Sequence, residues 1–306
     1  MDQRYEKSQG YAVSCQAMCT EISLGYQLYS IVKMIHQAIF LNGTLVKCET
    51  WPHFTEQRMV VFERAEQSLF RKVFNAHSKT AIESLYLELG IMPFRFHLMK
   101  RRILYFCDIM KRGDNELTKM VVLTQKENPI KGDFYIQVKN DMLTLGIQES
   151  NIISISKGTV KDILDAKLSN LAFQHLIKLA HTHSKVHTES YTNLQGMSYL
   201  NDVRFTPDLV NLFFRFRIRM YSVRNNFRNN YKQSNIMCPL CEAQKDSQSH
   251  LFECTAILQR LQNKPSSKYE DIFSLDNDTL LNVSKELKIF VTVREELLED
   301  SIVPED

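Results

Sequence analysis

The sequence predicts a mainly α-helical protein. Glycine and proline, which mark turns and break regular elements, number only 9 and 7 in 306 residues. Apolar residues recur at intervals of three and four through much of the chain, and a hydrophobic content of 44% is ample for a buried core. We therefore expect a helical body, followed by a small metal-binding module and a short helical tail.

The order of the helices follows from start and stop signals. A first helix is predicted from Met18 to Leu41, and Thr55 caps a second. Thr80 and Glu83 predict a capping box for a short helix that ends at Gly90. Four further helices are predicted, from Pro93 to about Arg112, from Asn115 to just before Pro129, from Lys157 to about Leu179, and from Thr206-Pro207 onward. Residues 134–138, FYIQV, fit either a strand or the start of a helix.

The segment MCPLCEAQKDSQSHLFEC, residues 237–254, carries a metal-ligand pattern. Two residues separate Cys238 from Cys241, three separate His250 from Cys254, and a polar stretch joins the two pairs. A two-residue gap lets one turn direct both sulfurs at a single ion, and zinc takes four ligands in a tetrahedron. Three thiolates and one imidazole leave no open position for water. The sequence therefore predicts one structural zinc ion per chain.

The alternative interpretation of the four predicted metal ligands is that they are unrelated residues of the core. Their order and spacing disfavour this interpretation.

Other histidines and cysteines give weaker signals. A second metal site would need an acid near the histidines of HTHSKVH, so a polar loop or helix end is the preferred interpretation there. The remaining cysteines lie among apolar residues and are predicted to belong to the core. They are Cys15, Cys19, Cys48 and Cys107.

Residues 215–232 form a basic segment directly before the metal pattern. The basic segment contains six basic residues, four aromatic residues, four asparagines and no acid. Arginine binds phosphate through paired donors and aromatic rings stack on unpaired bases, so this composition favours RNA or single-stranded DNA. The predicted contacts are Arg215, Arg217, Arg219, Arg224, Arg228 and Lys232. The alternative is a solvated helix face whose arginines pair with acids such as Glu63 or Asp208.

Composition limits the partner and the compartment. With 38 basic and 35 acidic residues the net charge is only +3, so any nucleic-acid site must be local. An odd number of cysteines, without a signal-like or bilayer-length apolar run, predicts an intracellular protein without a membrane contact, with nucleus and cytoplasm both open. Motifs of common nucleotide-binding, zinc-protease and serine-hydrolase sites are missing from the sequence. No enzymatic activity is predicted.

Four blocks of sequence point to a family. They lie at residues 41–51 (LNGTLVKCETW), 69–106 (LFRKVF to RRILYF), 128–142 (NPIKGDFYIQVKNDM) and 214–254 (FRFRIRMY to HLFEC). Together they resemble the C-terminal part of the polyprotein of non-LTR, LINE-like retrotransposons, in the region after the reverse transcriptase palm. The blocks occur in the family's order, and the similarity covers roughly Ser23 to Leu297.

The resemblance implies a role in target-primed reverse transcription. The helical body would act as a thumb that grips template and primer, and a Cys-Cys-His-Cys knuckle would help bind nucleic acid. It assigns the zinc ligands to Cys238, Cys241, His250 and Cys254, and places Arg215, Arg217 and Arg219 in the basic block. The family's YLELG and RR blocks correspond to Tyr86 to Gly90 and Arg101-Arg102. For the first of these, packing by Leu85, Leu87 and Leu89 is the preferred interpretation.

The chain also departs from the family. A polymerase palm holds two magnesium ions with carboxylates, usually in a Tyr-x-Asp-Asp turn, and that tetrapeptide does not occur in the sequence. An endonuclease module is missing as well. We therefore expect a truncated or domesticated remnant that does not polymerise DNA on its own, although its parent polyprotein would be an RNA-directed DNA polymerase.

Four parts are predicted along the chain. They are a thumb-like helical body at 1–205, a basic helix and linker at 206–235, a zinc knuckle at 236–262 and a helical acidic tail at 263–306. The leading hypothesis is a zinc-dependent nucleic-acid-binding remnant. The alternative is a helical protein-interaction scaffold, or a non-functional element fragment, with a purely structural zinc site. A third hypothesis is a product that works only in trans with an intact element's polymerase.

Overall fold

The computed structural model describes residues 28–48, 55–74, 76, 80–182, 186–226, 236–261 and 265–300. Within these ranges the regular structure is helical, and the only β pairing is an isolated antiparallel bridge between Met237 and Lys245. The predicted mainly α class is confirmed. The α-helices are α1 (Leu28–Ile35), α2 (Glu56–Val73), α3 (Ile82–Leu89), α4 (Phe94–Met110), α5 (Leu117–Glu127), α6 (Phe134–Thr144), α7 (Glu149–Ile153), α8 (Lys157–Ala180), α9 (Pro207–Arg217), α10 (Thr255–Arg260) and α11 (Asn277–Asp300).

None of the helices in the described ranges is both long and apolar enough to cross a bilayer.

Helix α1 continues through a π-helical turn, His36–Leu41, into a short helical turn at Asn42–Thr44. The predicted first helix ended at Leu41, and its residues before Leu28 lie outside the described part of the chain.

Local sequence explains many helix boundaries. The hydroxyls of Thr55 and Ser156 accept hydrogen bonds from the backbone amides three residues ahead, which caps α2 and α8. Pro207 stands at the first turn of α9 after Thr206, as its restricted φ favours. Gly90 ends α3 in the left-handed conformation, with φ of 62°. The cap at Thr55, the starts at Lys157 and Pro207 and the stop at Gly90 were predicted from the sequence. The cap by Ser156 was not predicted, and Thr206 makes no side-chain cap.

Some local predictions are wrong. The capping box at Thr80 and Glu83 does not form, because α3 begins after Ala81 and is buried on all sides, so packing sets its start. The residue before α5 is Glu116 rather than Asn115, and it makes no side-chain cap. The ambiguous residues 134–138 are helical, since α6 begins at Phe134. The helix that leads into the basic segment ends at Arg217.

Helices α4 and α8 form the centre of the body. They pack against each other, while α3 packs on α8, and α2 and α6 pack on α4. Helix α8 buries a stripe at four-residue spacing, with Val160, Leu164, Leu168, Ala172 and Leu176. Helix α3 is buried along its whole length, so the predicted packing role of Leu85, Leu87 and Leu89 is confirmed.

Two glycines let a loop cross the end of α3. A Cβ atom on Gly90 would lie 2.1 Å from the backbone nitrogen of Gly196, and Gly196 itself has φ of 82°. In this crossing the Met197 amide donates to the Glu88 carbonyl at 3.0 Å. The close approach holds the segment around residues 191–199 over the side chain of Glu88.

The C-terminal helix belongs to the core. Helix α11 packs against α9, α10 and the 3₁₀ turn Tyr269–Phe273. It has 24 residues, longer than the short tail predicted, and buries Leu280, Val283, Leu287 and Phe290. A single hydrophobic cluster includes residues of the body, of the metal-binding module and of α11. These parts therefore support one another through shared packing.

Candidate metal centre

Four ligand atoms converge where the sequence predicted a metal site. The sulfurs of Cys238, Cys241 and Cys254 and a ring nitrogen of His250 all lie within 4.8 Å of one another. The Cys238 and Cys254 sulfurs are 3.8 Å apart, and the Cys241 sulfur lies 3.2 Å from His250 Nε2. Tetrahedral zinc with metal–sulfur bonds of about 2.3 Å separates two sulfurs by about 3.8 Å. We call these four residues the metal centre, and they can hold a metal ion.

A tight hairpin presents the first two cysteines. The Cys238 amide donates to the Gln244 carbonyl at 2.7 Å, and the Asp246 amide donates to the Ile236 carbonyl at 2.8 Å. Between them the Glu242 amide donates to the Cys238 carbonyl at 2.9 Å, which closes the turn, and Glu242 takes the left-handed conformation with φ of 54°. We call residues 236–261, which contain this hairpin, the knuckle.

The second pair of ligands sits on short helical turns. His250 begins a 3₁₀ turn, His250–Phe252, and Cys254 is the residue before α10. The His250 ring donates from Nδ1 to Gln244 Oε1 across 3.1 Å. This bond leaves Nε2 with its lone pair directed at the metal centre, which is how second partners orient metal-bound histidines. The spacing of His250 and Cys254 is that of one helical turn, but the structure has no continuous helix between these two residues.

The surroundings of Cys238 favour loss of its thiol proton. A hydrogen bond from the Cys254 thiol lowers the pKa of Cys238 to about 4, and the amides of Cys241 and Leu240 act in the same direction. The same pairing, together with burial, raises the pKa of Cys254. One proton therefore stays between the two sulfurs. A metal ion bound by both thiolates displaces that proton, so metal binding competes with acid.

The knuckle is anchored to α11. The Phe252 and Phe290 rings lie 4.8 Å apart, and Leu251 and Ile257 are buried in the shared core. Arg294 of α11 donates to both carboxylate oxygens of buried Asp246, at 3.0 and 3.2 Å. Burial raises the pKa of Asp246, while the Arg224 amide and Arg294 oppose that rise. The knuckle is therefore held by the shared core and by the Arg294–Asp246 ion pair, in addition to any metal that the four ligands bind.

Arg217 lies in the core, away from any basic surface. Its side chain has no exposed area, and its Nε donates to Glu88 Oε1 at 2.6 Å. The hydroxyls of Tyr191 and Tyr199 each donate to Glu88 at 2.6 Å as well. Arg217 also donates to the Ile272 carbonyl. Because this guanidinium does not reach solvent, the predicted phosphate contact of Arg217 does not fit the structure.

The pairing of Arg217 answers the alternative raised by the sequence. The arginine does pair with an acid, but its partner is Glu88, since Glu63 pairs with Arg95 at 2.5 Å. The only signal for Glu88 in the sequence is a charged residue in a largely apolar stretch. Gln244, which orients His250, has no sequence signal at all.

The other basic residues are divided between the body and the knuckle. Arg215 lies in the last turn of α9, and Arg219 has φ of 54° and places Nη2 2.6 Å from His187 Nε2. The Arg224 amide donates to Asp246 Oδ2 at 2.8 Å, and its guanidinium donates to the Met237 carbonyl at 3.2 Å. Arg228 and Lys232 lie outside the described residues. The described part of the basic segment is thus tied partly to the body and partly to the knuckle, and its cations form no single stripe.

Smaller predictions about histidine and cysteine have mixed outcomes. His181 is exposed, and His183 lies outside the described residues. Burial, and next the charge of Arg219, lower the pKa of His187 to about 4, so it accepts a hydrogen bond from Arg219 while neutral. Cys48 and Cys107 are buried as predicted, and Cys15 and Cys19 lie outside the described residues.

Comparisons of the chain with family models, with curated proteins and with solved structures found no significant match. They assign no family, and the resemblance to non-LTR retrotransposons stays a prediction. The fold and the metal centre define a class: a mainly helical protein with a Cys₃His cluster that can hold a metal ion.

Proposed function

We propose that this chain is a zinc-binding, non-catalytic protein that holds RNA or single-stranded DNA beside its knuckle, and that it derives from a non-LTR retrotransposon reverse transcriptase. The proposed origin rests on the sequence resemblance, and one observation supports nucleic-acid binding beside the knuckle. The backbone amides of Arg224 and Asn225 donate to Asp246 at 2.8 and 2.9 Å, so the basic segment and the knuckle are joined as one unit.

Zinc is the metal that this donor set favours. Three sulfurs and one imidazole nitrogen are ligands that zinc prefers, and four protein ligands saturate a tetrahedral site. Such an ion would supply structure and no reactive water. The residues that would hold it are Cys238, Cys241, His250 and Cys254. An intact element's polymerase, acting in trans, is a partner that the same proposal allows.

The charges that remain for a nucleic acid differ from those first predicted. Arg217 is excluded because it is buried with Glu88. Arg219, in the basic segment, and Lys245, in the knuckle, line one cavity, and Arg228 and Lys232 lie between them in the sequence. A cluster of this size favours binding through phosphates, with affinity that falls steeply as salt rises.

The test is the affinity of the zinc-loaded chain for RNA and for single-stranded DNA at two salt concentrations. We expect Arg228→Glu with Lys232→Glu to weaken binding by at least tenfold, and each lost phosphate contact to flatten the salt slope by about 0.7. The matched control is Lys285→Glu with Lys288→Glu, which reverses two exposed charges on α11. Unchanged affinity in the first variant, with zinc retained, contradicts the proposal.

A second candidate function is a helical protein-interaction scaffold whose zinc only joins the knuckle to the body. The internal pairing of Arg217 with Glu88 and of Arg294 with Asp246 favours it, because both arginines serve the fold. A folded, zinc-loaded protein that binds neither RNA nor single-stranded DNA at low salt would support the scaffold and reject nucleic-acid binding.

A further inference from the structure

A polar cavity of about 220 Å³ lies between the basic segment and the knuckle. It is separate from the metal centre, whose four ligands do not line it. The lining side chains include two cations and several neutral hydrogen-bonding groups, and none of the lining residues is acidic. The lining residues include Arg219, Lys245 and Gln248.

Two buried polar atoms at this cavity lack partners among the described residues. Gln248 is only 3% exposed, and its Nε2 donates to the Phe216 carbonyl at 3.1 Å, so its Oε1 is the free end of the amide. Arg219 Nε is likewise buried without a hydrogen-bond partner. A buried polar atom left unpaired costs about 1–3 kcal/mol. The pair is therefore suited to a ligand that offers both an acceptor and a donor.

Neither of the two cations at the cavity forms an ion pair with a described acidic residue. Arg219 is held by neutral His187, whose Nε2 is 2.6 Å from Nη2 of the arginine, so the guanidinium is oriented without losing its charge. Lys245 is exposed, and its ammonium forms no ion pair with any described residue. The nearest buried acid in sequence, Asp246, is already paired with Arg294. An anionic group is the natural partner for these two cations.

The size of the cavity limits the ligand. Sites that enclose a whole drug-sized ligand usually measure about 300–1,000 Å³, and this cavity is smaller. It suits the phosphate and sugar of a single nucleotide, with the base left outside. An unpaired strand is flexible enough to turn one sugar and phosphate into such a cavity, whereas the regular backbone of a duplex is stiffer.

We propose that this cavity binds one unpaired nucleotide, with its phosphate on Arg219 and Lys245 and a sugar hydroxyl donating to Gln248 Oε1. This inference deepens the proposed function and rests on it where the nucleotide belongs to a strand. It also assigns a role to Gln248 and Lys245, which no sequence motif marks.

The experiment uses the zinc-loaded full chain and three probes: inorganic phosphate, uridine monophosphate and a twelve-nucleotide oligouridylate. Isothermal titration calorimetry measures each affinity for the native chain and for Lys245→Gln and Arg219→Gln. The matched control is Lys288→Gln, which removes one exposed positive charge from α11. We expect each cavity variant to weaken binding of the mononucleotide and the oligomer by about tenfold, as for a lost hydrogen bond to a charged group, and the control to leave both unchanged.

The outcomes separate the two proposals. Oligomer binding that ignores both cavity variants, without mononucleotide binding, overturns the cavity site and leaves the proposed function standing. Variant-sensitive mononucleotide binding without oligomer binding supports the cavity and rejects the proposed function. Phosphate that binds as tightly as the mononucleotide overturns the nucleotide assignment, because the sugar contact would then contribute nothing. No binding of any probe overturns both.

Discussion

The metal centre and the Glu88–Arg217 pair are both buried charged sites, but their charges are balanced in different ways. At Glu88 the carboxylate receives one guanidinium and two tyrosine hydroxyls, all from the chain itself. At the metal centre three thiols and an imidazole crowd within 4.8 Å, and no cationic side chain is among them. The Glu88 carboxylate is paired with groups of the chain itself once the chain folds, whereas the metal centre can take up an ion from outside.

The two sites therefore stabilise different parts of the molecule, and only one of them involves a ligand from outside the chain. If the metal centre holds an ion, we expect its loss to affect a hairpin and two short helical turns, which are anchored to α11 by Phe252 and Asp246. Loss of the Glu88–Arg217 pair affects the junction of α3, α9 and the loop that carries Tyr191 and Tyr199. A substitution at one site should therefore leave the other site intact.

The largest effect is expected at the metal centre. Cys238→Ser with Cys254→Ser removes two of four ligands, and structural zinc contributes about 10–16 kcal/mol of apparent binding free energy in small zinc peptides. We expect metal content to fall from one ion to none, and hydrogen exchange to rise across residues 236–261 but not in α4 or α8. Cys107→Ala, a buried cysteine outside the cluster, is the control and should keep its metal. Retained zinc in the double variant would show that these ligands do not form the site.

The next largest effect is expected at Arg217. Arg217→Met leaves the Glu88 carboxylate buried without its cation, which costs about 3–5 kcal/mol. Urea unfolding measures the loss, and metal content should not change. The control is Arg204→Met, which removes the solvent-screened ion pairs with Asp202 and Asp278 and should lower stability much less.

A double variant sharpens this prediction. Adding Glu88→Gln to Arg217→Met removes the uncompensated charge, so we expect the double variant to be more stable than Arg217→Met alone. Equal or lower stability of the double variant would mean that lost packing, and not the unpaired carboxylate, destabilises the single variant.

The smallest effect is a pH dependence in the body, away from both charged sites. Desolvation, followed by the charges of His36 and Lys100, lowers the pKa of His97 in α4 to about 3. The unfolded chain protonates His97 near pH 6.5, so stability is fully present above that pH and is lost as the pH falls toward 3. From pH 7 to 5 the loss is about 2 kcal/mol.

Thermal unfolding of a His97→Gln variant tests this sign. The variant should lose less stability than the native chain between pH 7 and 5, while His181→Gln, at an exposed position, should follow the native chain. An identical pH dependence in all three proteins would remove His97 as the cause. Metal release at the same pH is monitored separately, since the thiolates also take up protons.

Much of the fold and of the metal centre was predictable because the signals are local. The starts at Thr55 and Pro207 and the stop at Gly90 depend on residues within one turn of the boundary, and the structure has them all. The Thr80 capping box failed because α3 is buried on all sides, and tertiary packing then overrides a favourable cap. The predicted phosphate contact of Arg217 was wrong for a related reason. The sequence around Arg217 has the charge pattern of an exposed basic site, but its side chain is buried with Glu88.

By itself the sequence determined the helical class and the four ligands of the metal centre. Each ligand pair is separated by two or three residues, so local backbone geometry alone brings its two atoms together. Only the tertiary structure decided the roles of the arginines. Glu88 and Arg217 are 129 residues apart, and Asp246 and Arg294 are 48 apart. A charge is buried or exposed according to partners that arrive from distant parts of the chain, and no local pattern records those contacts.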